Sequence, residues 1–311
     1  MKLTYEDTRF FDVVNGESKD PYQDKVESVY DDSPEQWQKA IGNELWYQFG
    51  VYDQRQDKRT ISLDDAGRRY LDCQLELAGI SASTPDVHRV LDIGCGWGAI
   101  LKHLTRRLPQ CERFDGVNIS PRQLNWVGKL LATDGLKDRV NLYLCNAKDI
   151  NSLPDSDVPY DVAILRGSII HFSKEVLNET LCGLSQRMRN DGTVIISESL
   201  YNVEIETYEP AVPDPDDRAA CAHRKTPDDL HQALRAHGFE VQDTRVLPSN
   251  DDAIFWFGEL RRNIDSHFAD HQQGAFAELR ECAINWSVAL YNKKASVYSI
   301  VARRKKSAND E

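Results

Sequence analysis

The sequence lacks any apolar run that approaches the roughly 20 residues needed to cross a bilayer, and its N-terminus lacks the hydrophobic stretch of a signal peptide. It has no C-x-x-C pair, and its seven cysteines are scattered and odd in number. Basic residues are also few, because 38 of them face 50 acidic residues and leave a net charge of −12. We therefore expect a cytoplasmic protein with reduced thiols, no membrane association and no nucleic-acid partner.

From residue 88 onward the chain alternates between two kinds of segment. Short apolar runs such as RVLDI, YDVAILR and TVIIS are typical of strands, and segments such as AILKHLTRRL have the spacing of amphipathic helices. Seven such strands separated by helices predict an α/β fold with a doubly wound, mostly parallel sheet that is covered on both faces. The last strand, ASVYSIVARR, is expected to be antiparallel.

Helical patterns dominate the N-terminal part. A Ser-Pro-Glu start predicts a helix over 33–49, and an N-terminal helical cap is predicted over 1–80. The α/β domain is predicted over 81–311. It contains two long excursions, an acidic one at 199–226 and a helical one at 251–293, which we expect to form a substrate lid.

The segment VLDIGCGWGAIL, 90–101, is an apolar strand that carries one acid, Asp92, and then enters a turn with Gly94, Gly96 and Gly98. Such a turn exposes backbone N–H groups to a ligand at the carboxyl end of a strand. The segment also matches the loose dinucleotide pattern G-x-G-x-x-A, which is a weak signal alone.

Three residues argue against a dinucleotide. Asp92 would repel a pyrophosphate, Trp97 occupies the turn, and Asn118 ends the next strand where a dinucleotide site has an acid for the ribose. A cationic ligand reverses the argument. S-adenosylmethionine carries a sulfonium, an ammonium and a carboxylate, so an acid at the strand end can pair with the ammonium.

These motifs resemble those of a known superfamily. VLDIGCGWG is similar to motif I of the class I S-adenosylmethionine-dependent methyltransferases. GVNISPRQLNW, 116–126, resembles a segment of the small-molecule branch that includes cyclopropane fatty-acid synthases and the sterol and geranyl diphosphate C-methyltransferases. The resemblance covers roughly 30–303, and it implies a Rossmann-like fold and S-adenosylmethionine as cofactor.

The resemblance also implies a set of cofactor-binding residues. The chain departs from the family pattern where Asn146 replaces an acid near the adenine and where Gln48 replaces a histidine in the N-terminal segment WYQFGVYD. The expected cofactor-binding residues are Tyr52, Asp92, Gly94, Cys95, Gly96, Asn118, Ile119, Gln123, Asn146, Ala147 and Arg166.

Three residues are candidates for the chemistry on the acceptor. His171 follows the fourth strand, and Glu198 and Tyr201 follow at the end of the fifth. A hydrogen-bonded histidine beside the core and a solvated edge acid are the alternatives for the first two. In cyclopropane synthases a Glu-His pair here helps to hold bicarbonate, but this chain has Ile170 before His171, which argues against cyclopropanation.

The sequence thus predicts an S-adenosylmethionine-dependent methyltransferase that acts on a small organic acceptor of secondary-metabolite type, at carbon or nitrogen. The alternatives are O-methylation or a cyclase of the same fold that binds the cofactor without transferring methyl. No metal is expected, because His267 and His271 lie one helical turn apart without a third ligand. A homodimer stays an open alternative.

Overall fold

The computed structural model describes residues 10–16, 19–84 and 86–305. The helices within these ranges are α1 Gln23–Val29, α2 Pro34–Ile41, α3 Leu63–Leu77, α4 Ala99–Arg107, α5 Pro121–Thr133, α6 Lys174–Arg187, α7 Pro227–Ala236, α8 Asn250–His267 and α9 Ala275–Tyr291. The strands are β1 Asp12–Val13, β2 Arg89–Ile93, β3 Arg113–Asn118, β4 Val140–Leu144, β5 Tyr160–Arg166, β6 Met188–Tyr201, β7 Phe239–Val246 and β8 Ala295–Arg304.

The strands form one sheet in the order β1-β4-β3-β2-β5-β6-β8-β7. Strands β1 to β6 are parallel, and β8 lies antiparallel between β6 and β7. The predicted Rossmann-like fold is therefore confirmed, together with the antiparallel last strand. The sheet has one strand more than predicted, because the two-residue edge strand β1 is too short to produce an alternating pattern in the sequence.

The strand order determines where a ligand site forms. The chain runs outward from β2 to β3 and β4 and then returns to place β5 on the other side of β2. The direction of winding therefore reverses between β2 and β5, and a crevice opens beyond the carboxyl ends of these two strands. Every residue of both strands is buried, as expected for parallel strands covered on both faces.

Helix α2 begins as predicted but ends early. The Ser33 side chain accepts a hydrogen bond from the Gln36 N–H, and the Gln36 side chain accepts one from the Ser33 N–H, which forms a capping box. The prediction that the helix continues to residue 49 is wrong. Gly42 takes φ 105 and Leu45 takes φ 60, both outside helical geometry, so the chain turns before the segment that reaches the site.

The N-terminal helices pack against the two C-terminal ones through a shared aromatic cluster. The ring of Trp37 on α2 lies 5.3 Å from Phe276 on α9, and Phe49 lies 5.3 Å from both Trp256 and Phe257 on α8. The division into a cap and an α/β domain stays a prediction. Its terminal parts, residues 1–9 and 306–311, lie outside the described residues.

The two predicted excursions differ in structure. The stretch 199–226 continues β6 to Tyr201 and then contains two short 3-10 turns, Ile205–Thr207 and Arg218–Ala220. The stretch 251–293 holds most of α8 and all of α9. Within the described part of the chain, no helix is both long and apolar enough to span a membrane.

Candidate active site

A cavity lies at the crevice between β2 and β5, with an empty volume of about 1150 Å³ that includes its opening to solvent. Its floor is formed by the glycine turn and by the ends of β3, β4 and β5, and α1 lies over it. Ten of the predicted site residues line it. They are Gly94, Cys95, Gly96, Asn118, Ile119, Gln123, Asn146, Ala147, Arg166 and His171.

The glycine turn brings bare backbone to the cavity. Gly94, Gly96 and Gly98 have φ values of 79, 52 and 81, in the left-handed region that favours glycine. A Cβ added to Gly94 would lie 2.7 Å from the Ser168 Cβ, and one added to Gly98 would lie 2.7 Å from Val127. The nearest atom to a Cβ on Gly96 is 3.9 Å away, so this glycine leaves open space.

Asp92 lies in β2, two residues before the turn, and it does not line the cavity. Its side chain is fully buried, and neither carboxylate oxygen has a hydrogen-bond partner among the residues that the structure describes. Burial raises the pKa of this carboxyl to about 7, and the positive charge of Arg166 opposes the shift. An unpaired buried carboxylate is costly, so the site is suited to a ligand that supplies a positive charge.

Arg166 is the last residue of β5 and lines the same cavity. Its Nη2 donates to the carbonyl of Gln48 at 3.1 Å, and its guanidinium lies 4.5 Å from the centre of the Tyr70 ring. The Nε and Nη1 atoms are buried and have no hydrogen-bond partner within the described part of the chain. Burial lowers the pKa of this guanidinium, while Tyr70 and Asp92 act in the opposite direction.

Asn118 and Gln123 organise the loop after β3. The Asn118 Nδ2 donates to the Gln123 Oε1 at 2.8 Å, and the Asn118 Oδ1 accepts from the Ile119 N–H at 2.8 Å. Ser120 caps α5 by accepting from the Gln123 N–H. After β4, the Asn146 Nδ2 donates to the Gln23 side chain of α1 at 3.0 Å, which joins this loop to the helix above.

His171 ends the short 3-10 turn that follows β5. Its Nδ1 lies 2.8 Å from the carbonyl oxygen of Ala220, and its Nε2 lies 3.3 Å from the hydroxyl of Tyr30. Burial lowers the pKa of this imidazole to about 4. The ring is therefore neutral at pH 7, with both nitrogens engaged.

Glu198 is buried, contrary to the solvated alternative, and it does not line the cavity. Its two oxygens accept from the N–H groups of Ile170 at 3.0 Å and Ser199 at 2.9 Å. Burial raises the pKa of its carboxyl, against the effect of these hydrogen bonds and the charge of Lys225. The structure thus brings Glu198 to the turn that carries His171, behind the cavity wall.

Tyr201 and Tyr52 also lie away from the cavity wall. The Tyr201 ring packs 4.6 Å from Tyr208 in the aromatic cluster. The Tyr52 ring packs 4.9 Å from Phe255 on α8. From the same N-terminal segment as Tyr52, it is Tyr47 that lines the cavity.

Sequence reasoning missed the aromatic wall of the cavity. Tyr22, Tyr30 and Tyr47 line it from the N-terminal part of the chain, and Trp97 lines it from the glycine turn. Their aromatic character is visible in the sequence, but buried aromatics of the core look the same until the chain path is known.

Comparison with known proteins identifies the family. Residues 66–244 match the family described as "Methyltransferase domain". The chain belongs to this methyltransferase family. The methyltransferase GfsG from Streptomyces halstedii is 27% identical over 150 residues, which are 48% of this chain and 50% of that protein. The chain spans about half the length of the curated relatives it matches.

Solved structures of the family share the fold. The cyclopropane synthase MmaA2 from Mycobacterium tuberculosis has a TM-score of 0.75 at 14% identity, over 91% of this chain and 99% of that one. The cyclase SpnF has a TM-score of 0.67 at 20% identity, over 92% and 98%. The prediction of a methyltransferase is therefore confirmed by the family match, and the predicted fold is shared with these solved structures.

Proposed function

We propose that this methyltransferase moves the methyl group of S-adenosylmethionine to a small organic acceptor of secondary-metabolite type, at carbon or nitrogen. One observation carries the proposal. Asp92 and Arg166 are buried, opposite in charge and largely without partners where the glycine turn meets β5. The methionyl end of the cofactor has an ammonium that pairs with Asp92, directly or through a water molecule, and a carboxylate that fits the free Nε and Nη1 of Arg166.

The other predicted residues fit the rest of the cofactor. Asn118 and Gln123 are buried, hydrogen-bonded to each other and exposed to the cavity on one side, which suits ribose hydroxyls. Asn146 and Ala147, after β4, suit the adenine edge. Gly94, Cys95, Gly96 and Ile119 line the same cavity and complete the set. The N–H groups of Gly94 and Cys95 already donate to the Val117 carbonyl, so these two residues would contact the cofactor through other atoms. Tyr47 lines the cavity, so we assign it the place over the cofactor that was predicted for Tyr52.

The bound cofactor supplies a methyl group on a sulfonium, which is already a good leaving group. The chain's own residues then have to align the acceptor and exclude water. Tyr22, Tyr30, Tyr47 and Trp97 form an aromatic wall that suits a positive charge near the reaction centre. His171 faces the same space as a neutral hydrogen-bonding group.

The charged residues that line the cavity favour some classes of acceptor over others. Among the lining residues, all of them within the described ranges, Arg166 is the only lysine or arginine, and Asp20 and Glu27 add negative charge from the α1 side. With Arg166 assigned to the cofactor, no lysine or arginine of the cavity lining remains to bind a phosphorylated acceptor. We therefore favour an acceptor that is neutral or cationic. We also place the enzyme in the cytoplasm, because its cysteines are all free thiols; a homodimer stays a prediction.

The test is to incubate the purified protein with S-adenosylmethionine and a panel of amines, alkenes, phenols and prenyl diphosphates. Mass spectrometry should find a product that is heavier by one methyl group, with S-adenosylhomocysteine formed in step. Calorimetry on the wild type and Asp92→Ala checks the cofactor site separately. Loss of cofactor affinity in the variant supports the assignment, and unchanged affinity would refute it.

A second candidate function is a cyclisation or rearrangement without methyl transfer, and the fold likeness to the cyclase SpnF favours it. In that case the protein would bind S-adenosylmethionine tightly but form no S-adenosylhomocysteine with any acceptor. Phenol methylation in the same panel would instead establish the O-methyltransferase alternative.

A further inference from the structure

We propose that Tyr30 is a catalytic residue that takes up the proton lost by the acceptor and passes its own proton to His171. This inference rests on the proposed methyl transfer. Tyr30 directly follows α1, and both Tyr30 and His171 line the cavity beside the aromatic wall. The Tyr30 hydroxyl lies 3.3 Å from the His171 Nε2.

The hydrogen-bond directions at His171 follow from its partners. The carbonyl oxygen of Ala220 can only accept, so the His171 Nδ1 at 2.8 Å must carry the hydrogen. A neutral imidazole then has a lone pair on Nε2, and the Tyr30 hydroxyl must donate to it. The Tyr30 hydroxyl also shares a hydrogen bond with the side chain of Tyr47, which lines the same cavity. A phenolic oxygen has two lone pairs, so it keeps one that can accept a proton from a bound molecule.

The Ala220 carbonyl is held in place by a strained segment of the acidic excursion. Asp217, Ala219 and Ala220 have φ values of 51, 52 and 52, which are unfavourable for residues with a side chain. Contacts with α1 and α9 hold this conformation from both sides. Strain of this kind persists where the surroundings enforce it and is common where a group must be aimed.

Two sets of contacts fix this segment. On the α1 side, the Asp217 carboxylate accepts from the Tyr22 hydroxyl and pairs with the Lys25 Nζ at 3.0 Å. On the α9 side, the Ala219 N–H donates to the Glu278 carboxylate at 2.8 Å. The same contacts that hold α1 over the cavity therefore also orient His171.

Methylation of the acceptor releases one proton, which Tyr30 and His171 take up together. When the acceptor atom bonds to the methyl group, the acceptor loses a proton and keeps the electrons of the broken bond. That proton goes to the Tyr30 oxygen while the Tyr30 hydroxyl proton moves to the His171 Nε2. The result is a neutral methylated product, a restored tyrosine and an imidazolium whose Nδ1–H still donates to Ala220.

The imidazolium returns its proton to water once the product leaves, because the buried ring favours the neutral state. The relay serves an acceptor that gives up a proton on methylation, such as a hydroxyl, an N–H or a carbon that forms a cation. The titratable and charged groups that face the pair are Asp217, His223 and Lys225 around His171, and Tyr47, Cys221 and Glu198 around Tyr30.

The first test needs no acceptor. In the full chain with ¹⁵N-labelled histidine and bound S-adenosylhomocysteine, NMR should show His171 protonated at Nδ1, with an Nε2 that accepts a hydrogen bond. In Tyr30→Phe the Nε2 resonance should move toward that of a free acceptor. The matched control is Tyr298→Phe, which should leave the signal unchanged. Tyr298 does not line the cavity, and its hydroxyl donates to the Asn202 side chain over 2.7 Å. A proton on Nε2, or no response to Tyr30→Phe, would overturn the proposal.

The second test uses the acceptor that the panel identifies. Tyr30→Phe should lower kcat by about 100-fold or more, the usual contribution of a positioned proton acceptor, with cofactor affinity within about twofold of wild type. An unchanged kcat overturns the relay and leaves the methyl transfer standing. A wild type that binds no S-adenosylmethionine overturns the proposed function, whereas the NMR result decides the relay when no acceptor in the panel is turned over.

Discussion

Asp92 and Arg166 are opposite charges on neighbouring parallel strands, and each keeps buried polar atoms without a partner. They influence each other electrostatically, since each shifts the pKa of the other toward its charged form. Yet no hydrogen bond or ion pair joins them. Two neighbouring side chains of opposite charge with unpartnered polar atoms complement a ligand that carries both a positive and a negative group. A methionyl group carries both, as an ammonium and a carboxylate.

This relationship predicts a ligand-dependent effect of two substitutions. Asp92→Asn and Arg166→Met should each weaken S-adenosylhomocysteine about 10- to 100-fold, the range expected for one lost hydrogen bond to a charged group. Both variants should bind 5′-methylthioadenosine as the wild type does, because this analogue lacks the α-amino and carboxylate groups of the methionyl part. Calorimetry with the two ligands measures the difference.

The matched control for these substitutions is Asn146→Ala, which lines the cavity and which we assign to the adenine. It should weaken both ligands to a similar extent. If Asp92→Asn and Arg166→Met weaken 5′-methylthioadenosine as much as S-adenosylhomocysteine, they act through the shape of the turn and the assignment to the methionyl group fails.

Asp92 also predicts a pH-dependent stability. Its pKa in the folded protein is about 7 against an ordinary value of 3.8, so between these values the folded state holds the proton more tightly than the unfolded state. The stabilising effect of the protonated form is complete below the ordinary value and disappears as pH rises through 7. Asp92→Asn should therefore stabilise the cofactor-free protein by about 2–4 kcal/mol at pH 8.

Urea unfolding at pH 5 and pH 8 checks this. The advantage of Asp92→Asn over wild type should be clearly smaller at pH 5 than at pH 8, and it should vanish only below the ordinary value of 3.8, where the carboxyl is protonated in both states. An equal advantage at both values would mean that the variant acts through packing. Stabilisation together with weaker cofactor binding would identify Asp92 as a residue kept for function at the expense of stability.

The glycine turn offers a second matched pair. Gly94 and Gly96 both have positive φ, so alanine should cost about 1–2 kcal/mol of stability at either position. Only at Gly94 does the new Cβ meet another atom, Ser168 at 2.7 Å, which should cost about 1–3 kcal/mol more. Gly96→Ala should instead lose cofactor affinity, because its Cβ enters the cavity. Thermal unfolding and calorimetry separate the two effects, and equal stability losses would contradict the assignment.

Local signals in the sequence were sufficient for the sheet and the turn. Apolar runs, glycine spacing and the Ser120-Pro121 helix start depend on neighbouring residues, so strands β2 to β8, the glycine turn and the Asn118 loop could all be predicted. The early end of α2 was readable as well, since glycine commonly follows the last turn of a helix, and Gly42 does so here.

The contacts at His171 could not be predicted in this way. Tyr30 lies 141 residues from His171 in the chain, and Ala220 lies 49 residues away. These pairings depend on how α1 and the acidic excursion fold back over the sheet, and no local pattern records that. The prediction that Glu198 faces the cavity failed for a similar reason. Its carboxylate accepts a hydrogen bond from the Ile170 N–H, in the segment between β5 and α6, and does not line the cavity.

Glu198 and Lys225 predict a strong coupling in stability. The buried Lys225 Nζ donates to the carbonyls of Ile169 and Phe172, at 3.0 and 2.6 Å, and its charge offsets that of Glu198. Lys225→Met removes the donor and leaves a buried carboxylate uncompensated, so it should cost about 3–5 kcal/mol in urea unfolding.

The double variant Glu198→Gln with Lys225→Met should recover part of that loss, because it no longer buries an unpaired charge. A double-mutant cycle measures this, and additive losses would show that the two charges are independent. Glu198→Gln alone should keep cofactor affinity, because the side chain lies behind the cavity wall. It should still lower kcat through the displaced His171 turn, which distinguishes a positioning residue from one that contacts the acceptor.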